Sequence, residues 1–309
     1  MIVEELRKKE NVRKLYSDYP FPNFNADDPV IDNVIQNEMK FYAKYLKPGL
    51  QVLDAGCGTG NYVAAFAKAF PSTQFTAIDF CEESLAKATE RFGHFHNIKF
   101  EHHDLSKPYN STKAFDIVLS IGVIHHLEDQ LGGLRNLHKV LKENGLLILY
   151  LYGKYGLFEK LRARNVILSL TNGLDWNTRF KIFDKLKYDK RFDCFRPQRY
   201  WFIPRGLRNV VKKIIKYKFS LTRNHEADSF FHPIESHYTI QSVFTLLKDA
   251  GFEFLEFNEE HEGSFQVPEK PFQDKYLNRL YSDLNSFDKM IIAENILKPT
   301  NYFLSARKI

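Results

Sequence analysis

The chain has 309 residues, 44% of them hydrophobic and 27% charged, with a formal net charge of +6; this is enough for one large domain or a domain with a sizeable insertion. Its three cysteines, Cys57, Cys81 and Cys194, form neither a disulfide framework nor a zinc spacing, so both classes are set aside and a reducing, cytoplasmic compartment is expected. Residues 146–152 form the longest apolar run, too short to span a bilayer, and the charged residues 1–14 are not expected to be a signal peptide.

In chain order, Val3, Leu6, Val12 and Leu15 recur among charges, which predicts a helix. It runs into Leu15-Tyr16-Ser17-Asp18-Tyr19-Pro20-Phe21-Pro22. The prolines stop the helix and favour an extended segment carrying Tyr16, Tyr19 and Phe21, either a cap packed on the core or a flap over a ligand. A second helix is expected over residues 34–46, presenting Phe41, Tyr42 and Tyr45.

Val52-Leu53 then lead into Asp54-Ala55-Gly56-Cys57-Gly58-Thr59-Gly60, after which Tyr62, Val63, Phe66, Ala67 and Phe70 return at helical spacing. Strand, glycine turn and helix in that order let a backbone approach a nucleotide-like ligand closely. The spacing rules out two phosphate loops. A dinucleotide fingerprint needs glycine where Asn61 stands, and no Gly-Lys-Ser/Thr follows to make a Walker loop.

After Pro71, residues 73–79 alternate as a second strand ending in Asp79, nineteen positions past Gly60. An acid ending the second strand of a doubly wound sheet faces the ribose of a bound nucleoside; it can also cap the helix expected over residues 82–92. A third strand at residues 98–102 precedes His103-Asp104-Leu105, with Asp104 expected in the crevice at a strand's carboxyl end. No metal site is expected: adjacent His102 and His103 point to opposite faces of a strand, and no third ligand accompanies them. The fourth strand, residues 115–122, leads into Val123-Ile124-His125-His126-Leu127-Glu128-Asp129. Leu134, Leu137, His138, Val140 and Leu141 outline a helix closed by a left-handed stop at Asn144-Gly145, and residues 146–151 form the fifth strand. Strand and helix in alternation predict a Rossmann-like α/β fold with a parallel, doubly wound sheet.

Together the loop of residues 53–60, Asp79, His103-Asp104-Leu105 and Phe115-Asp116-Ile117-Val118 resemble the class I S-adenosylmethionine-dependent methyltransferases, closely over residues 45–151 and again over 238–257 and 301–308. The resemblance implies a seven-stranded sheet, mostly parallel, with a terminal antiparallel strand. It implies S-adenosyl-L-methionine as cofactor, with the backbone of Gly56, Cys57, Gly58 and Gly60 lining the methionine moiety and Asp54 near its amino group. Asp79 would hold the ribose hydroxyls, Asp104 and Leu105 the adenine edge, and Phe80 the adenine ring; Ser120 and Ile121 would sit near the sulfonium. Tyr16, Tyr19 and the Tyr-Pro-Phe-Pro segment are similar to bacterial members and are expected near the substrate.

Four segments are expected: a helical cap (1–47), a cofactor-binding core (48–152), a basic helical insertion (153–237) and a completion of the core (238–309) with a helical excursion near 270–298. The insertion departs from the plain fold. Residues 151–220 hold eighteen Lys/Arg against five Asp/Glu, which leaves about −7 for the remainder. A helix is expected after Pro204, with Leu207, Val210, Val211, Ile214 and Ile215 on one face and Arg208, Lys212, Lys213 and Lys216 on the other. Its basic face is a solvated surface, a site for an anionic partner or an interfacial membrane contact. Asp228, His232, Glu235 and His237 form a polar cluster before Thr239, a helix cap.

The expected activity is methyl transfer to an acceptor that is a small molecule, a nucleic acid or a protein. His126 and then His125 are the candidate bases for a hydroxyl acceptor. Two alternatives stand beside it: a cofactor-binding regulatory protein, and aminopropyl transfer using Glu128 and Asp129.

Overall fold

The computed structural model describes residues 2–25, 28–111, 114–189 and 222–309. Contacts divide the chain into two units, residues 1–156 with 233–309, and residues 157–232.

In the first unit, α1 (Ile2–Asp18), α2 (Pro29–Asn37) and α3 (Met39–Tyr45) precede an alternation of β1 (Gln51–Ala55), α4 (Asn61–Ala69), β2 (Gln74–Asp79), α5 (Glu82–Phe92), β3 (Ile98–His102), β4 (Phe115–Ile121), α6 (Gln130–Val140) and β5 (Leu141–Tyr152). The second unit contains α7 (Phe158–Thr171), α8 (Trp176–Tyr188) and α9 (Arg223–Phe231). The chain then completes the first unit with α10 (Ile240–Asp249), β6 (Phe252–Phe257), α11 (Lys275–Ser282), α12 (Ser286–Leu297) and β7 (Asn301–Lys308).

The strands form one seven-stranded sheet in the order β3-β2-β1-β4-β5-β7-β6. β1 pairs in parallel with both β2 and β4, whereas β7 runs antiparallel to β5 and β6. This is the mostly parallel sheet with a terminal antiparallel strand that the sequence predicts. Successive strand residues bury on opposite faces, as expected where helices cover both sides. Val52, Ile117, Leu119, Ile148 and Phe303 pack with Phe41, Tyr42, Val63 and Phe66 on one face. Leu53, Val118, Leu147, Leu149 and Leu304 pack with Leu134, Leu137, Ile240 and Leu247 on the other. Strand order reverses between β1 and β4, so the crevice for a ligand opens above their carboxyl ends.

Three local expectations change. The helix expected over residues 34–46 is two helices, because Glu38 leaves helical geometry at φ −101° and ψ 12°. β5 starts at Leu141 rather than near residue 146, with an irregular register between Phe115 and Ile117 that accommodates Asn144 at φ 60°. The α5 N-cap position belongs to Cys81, so Asp79 does not cap that helix by its side chain. Thr239 caps α10 as expected, in a reciprocal pair with Ser242.

Within the second unit, Phe183 and Phe231 are buried and pack with Trp176, Phe180 and Phe230. Two cations of this unit are paired with its own acids. Arg223 meets Asp184 at 2.7 Å and Glu226 at 2.6 Å, and Lys187 also reaches the buried Glu226. The helix expected after Pro204 lies outside the described residues.

Candidate active site

The glycine loop follows β1 at the sheet's switch point. Gly56, Gly58 and Gly60 take φ values of 95°, 54° and 80°, a left-handed region that favours glycine. The amides of Gly56 and Cys57 both donate to the Ile78 carbonyl, at 2.8 and 3.0 Å, which ties the loop to the end of β2. A side chain at Gly58 would meet the Phe21 carbonyl oxygen at 2.4 Å. Thr59 Oγ1 donates to the Pro22 carbonyl, and Arg91 Nη1 to the Phe24 carbonyl at 2.8 Å. The segment through Pro20 and Pro22 is therefore seated on the glycine loop, with Tyr16 and Tyr19 half-buried beside it.

Asp79 organises this loop. Its Oδ2 accepts from the Gly58 amide at 2.8 Å and its Oδ1 from the Cys81 amide at 2.9 Å. Burial raises its pKa, while the amides of Cys81, Gly58 and Phe80 and the nearby His102 pull it back. Asp54, at the end of β1, is 4% exposed, and its Oδ2 has no hydrogen-bond partner among the described residues. Burial, with Asp79 adding repulsion, raises its pKa to about 7. A buried carboxyl without a partner is costly unless something else supplies a donor. Cys57 is buried as well, and burial raises its pKa well above the usual thiol value.

The remaining predicted residues follow along the sheet's carboxyl edge. Phe80 is half-buried, and its carbonyl lies 3.0 Å from His102 Nε2. Asp104 Oδ1 accepts from the amide and hydroxyl of Ser106, at 3.0 and 2.8 Å. Leu105 is buried, and its carbonyl accepts from Asn136 Nδ2 at 3.0 Å. Ser120 is fully buried, and its hydroxyl has no partner among the described residues. Ile121 is half-buried and lies in register with Tyr150; the next residue, Gly122, has nothing within 4 Å of the position a side chain would take.

His125 and His126 form a buried turn after β4. The His125 carbonyl accepts from the Ser236 amide at 2.8 Å, and its ring stacks 4.0 Å from Tyr152. His126 Nδ1 donates to the Ile234 carbonyl at 2.8 Å, a contact that fixes its tautomer. His237 Nε2 lies 2.9 Å from Glu235, and its ring also stacks on Tyr152. Of the polar cluster, Asp228 and His232 belong to the second unit, where the His232 carbonyl accepts from Arg164. Among the described residues, no group of three or more His, Cys, Asp or Glu side chains is placed to hold a metal ion. Asp129 Oδ1 accepts from the Gly132 amide at 2.8 Å and so caps α6, which occupies one of the two acids that an aminopropyl reaction would need.

Sequence reasoning missed a buried network on α3 and beyond β6. Glu38 is 2% exposed; its Oε1 lies 2.6 Å from His261 Nδ1 and its Oε2 accepts from Asn258 Nδ2 at 2.9 Å. Burial first, then Glu38, raises the pKa of Tyr42 well above 10, and the same two causes bring Tyr62 to about 12. No local motif announces this set, because its members come together only in the folded sheet.

Residues 53–147 match a family model described as a methyltransferase domain. An uncharacterised protein of Synechococcus sp. is 29% identical over 261 residues, covering 80% of this chain and 60% of its own length. A malonyl-[acyl-carrier protein] O-methyltransferase of Ilyobacter polytropus is 24% identical, covering 53% of this chain and 62% of its own. A demethylmenaquinone methyltransferase of Staphylococcus aureus is 29% identical, covering 45% and 59%. The alignments thus span about three-fifths of the length of these curated relatives. Among solved structures, PKMT2 from Rickettsia typhi in complex with AdoHcy superposes with a TM-score of 0.65 at 16% identity, over 94% of this chain and 55% of that one. That likeness shows the fold.

Proposed function

We propose that this chain is a class I S-adenosylmethionine-dependent methyltransferase, as its match to the methyltransferase-domain model and to methyltransferase relatives supports, and that it catalyses methyl transfer to an acceptor that reaches the carboxyl ends of β4 and β5. The observation that carries the proposal is the buried Asp54 carboxyl, whose Oδ2 lacks a partner among the described residues, beside a glycine loop whose amide Gly58 is already held by Asp79. A cationic amine on the ligand satisfies the first, and a ribose diol suits the second, whose two oxygens retain lone pairs beyond the amides they accept.

In this reading Asp54 and the backbone of Gly56, Cys57, Gly58 and Gly60 hold the methionine end. Asp79 takes the ribose, Asp104 and Leu105 the adenine edge, and Phe80 the adenine face. Ser120 and Ile121 border the reacting end, where Gly122 leaves open space. When bound, S-adenosylmethionine supplies a methyl group already activated by its sulfonium. The chain's own part is alignment and exclusion of water. The segment at Pro20–Pro22 shields the loop, and in the same reading Tyr16 and Tyr19 contact the acceptor. His125 and His126, each anchored to residues 234–236, shape the wall above β4.

The acceptor class is open to charge. Residues 190–220, outside the described set, hold ten Lys/Arg against one acid, whereas Lys187 and Arg223 are engaged by Asp184 and Glu226. The excess of cations in the sequence of the insertion, residues 151–220, supports an anionic partner. No helix of the described residues is long and apolar enough to cross a membrane, and buried free thiols at Cys57 and Cys81 suit the cytoplasm that we propose as its location.

The test has two parts. S-adenosylhomocysteine should bind saturably by calorimetry, and Asp79→Ala should abolish most of that affinity. Labelled methyl should then pass from S-adenosylmethionine into an extract of cells lacking this protein, and added salt should slow the transfer if the acceptor is anionic. Saturable binding without any transfer would identify a cofactor-binding regulatory protein instead.

A further inference from the structure

The Glu38–His261 pair has the build of a proton-taking site, and its imidazole packs on Tyr150 and Phe303, on the sheet face that also carries Ile121. Glu38 lies in the break between α2 and α3, and His261 follows β6; in sequence they are 223 positions apart. His261 Nδ1 meets Glu38 Oε1 at 2.6 Å, and a carboxylate can only accept, so Nδ1 carries the hydrogen. In the neutral ring Nε2, on the opposite side, is then the nitrogen with the free lone pair.

The carboxylate is itself fixed. Its other oxygen accepts from Asn258 Nδ2 at 2.9 Å, and the Asn258 amide cannot be turned over, because its Oδ1 accepts from the Glu260 amide at 3.2 Å. The Asn258 backbone is in turn held by the Phe303 carbonyl at 2.7 Å. Base, orienting acid and a third group that orients the acid form the arrangement that activates an imidazole elsewhere in enzyme chemistry.

Exposure separates this imidazole from its neighbours. The side chain of His261 is 21% exposed and that of Glu38 3%. His125 is fully buried, His126 has its Nδ1 on a carbonyl, and the side chains of His237 and Glu235 are 5% and 0% exposed. The His261 ring is therefore partly open to solvent while the carboxylate that orients it is buried. Its ring lies edge-on to Tyr150, 5.4 Å between centroids, and Tyr150 lies in register with Ile121, the residue proposed beside the sulfonium.

Resting on the methyltransferase reading above, we propose that His261 is the general base of this protein, oriented by Glu38, and that the acceptor is a hydroxyl. An oxygen lone pair of the acceptor forms the new bond to carbon as the carbon–sulfur bond breaks. The pair from that bond stays on sulfur and neutralises the sulfonium, while the hydroxyl proton passes to His261 Nε2 and from there to water. A carboxylate acceptor would have no proton to give and would need no such base.

Glu38→Gln tests the orientation by a specific route. Asn258 Nδ2 still requires an acceptor, so the new amide must turn its oxygen to Asn258 and its NH2 to His261. Nδ1 then becomes the acceptor and the neutral ring switches to the Nε2–H tautomer. Long-range proton–nitrogen NMR reads this without any acceptor or cofactor. The wild type is expected to show Nδ1–H and Glu38→Gln Nε2–H; a wild-type ring with Nε2–H overturns the proposal, and so does a variant whose tautomer does not change.

Calorimetry with S-adenosylhomocysteine and labelled transfer into cell extract complete the test. His261→Gln and Glu38→Gln are each expected to bind S-adenosylhomocysteine like the wild type and to lose about 100-fold or more in transfer. Failure of the wild type to bind would instead strike the underlying reading. Transfer by His261→Gln at the wild-type rate overturns the base assignment. The labelled product should resist mild alkali as an ether does; a base-labile methyl ester or an N-methyl product overturns the hydroxyl assignment.

Discussion

Replacing Asp54 by asparagine should make the unliganded protein more stable and the cofactor weaker to bind, and the size of the first effect follows from burial. Asp54 has its pKa raised from 3.8 to about 7, mainly by removal from water. A carboxyl whose folded pKa lies above its unfolded one binds more protons folded than unfolded. Its burden on stability is therefore absent below about pH 4, grows through the interval to about pH 7 and is complete above it. A rise of that size corresponds to about 4 kcal/mol. An asparagine side chain keeps the shape and never ionises, so Asp54→Asn should raise the unfolding free energy by about 4 kcal/mol at pH 8 and by little at pH 4.5. The same change removes the carboxylate proposed to meet the cofactor's ammonium, a charge-assisted bond worth about 1.5–3 kcal/mol, or about 10- to 150-fold in affinity. Urea titrations of both proteins from pH 4.5 to 8 measure the first effect, and calorimetry with S-adenosylhomocysteine the second. In the wild type, binding at pH 6 should release a proton, seen as a heat that varies with the buffer's ionisation enthalpy. Stability curves that stay parallel across this pH range would refute the reasoning, since they would mean that the carboxyl is solvated.

Asp79→Ala should weaken S-adenosylhomocysteine binding by at least about 100-fold, because it removes both the proposed ribose acceptor and the anchor of the Gly58 amide; calorimetry decides it. Gly58→Ala should destabilise by about 2–3 kcal/mol, from a non-glycine residue at φ 54° and a methyl placed 2.4 Å from the Phe21 carbonyl. The clash should also lift the N-terminal segment and speed tryptic cleavage around Arg13. Glu294→Ala should cost about 2–5 kcal/mol in a denaturant titration, since Glu294 Oε1 accepts from both the Ile240 amide and the Tyr302 hydroxyl in a buried site. Glu294→Gln, which keeps that oxygen, should stay within about 1 kcal/mol of the wild type.

What could be read from the sequence was whatever is decided by near neighbours. Residues 98–102 declare a strand because Ile98 and Phe100 alternate with polar residues over five positions, and the structure places β3 there. The glycine loop was legible for the same reason: a strand, an acid and three spaced glycines specify the turn that carries them. Local rules failed where a distant partner decides the conformation. Residues 34–46 have the apolar spacing of one helix, yet the chain breaks at Glu38, whose carboxylate is held by Asn258 and His261 more than two hundred positions away. The same distance hid the candidate base. His125 and His126 drew attention because they adjoin the fourth strand in sequence, whereas His261 reaches the carboxyl edge only because β7 inserts between β5 and β6 and sets Phe303 beside Tyr150. An imidazole is defined chemically by what holds its other nitrogen, and that contact is a property of the sheet order. The break at Glu38 and the orientation of His261 are thus one feature seen from its two ends, and a substitution that restores helical geometry at residue 38 should also release the histidine.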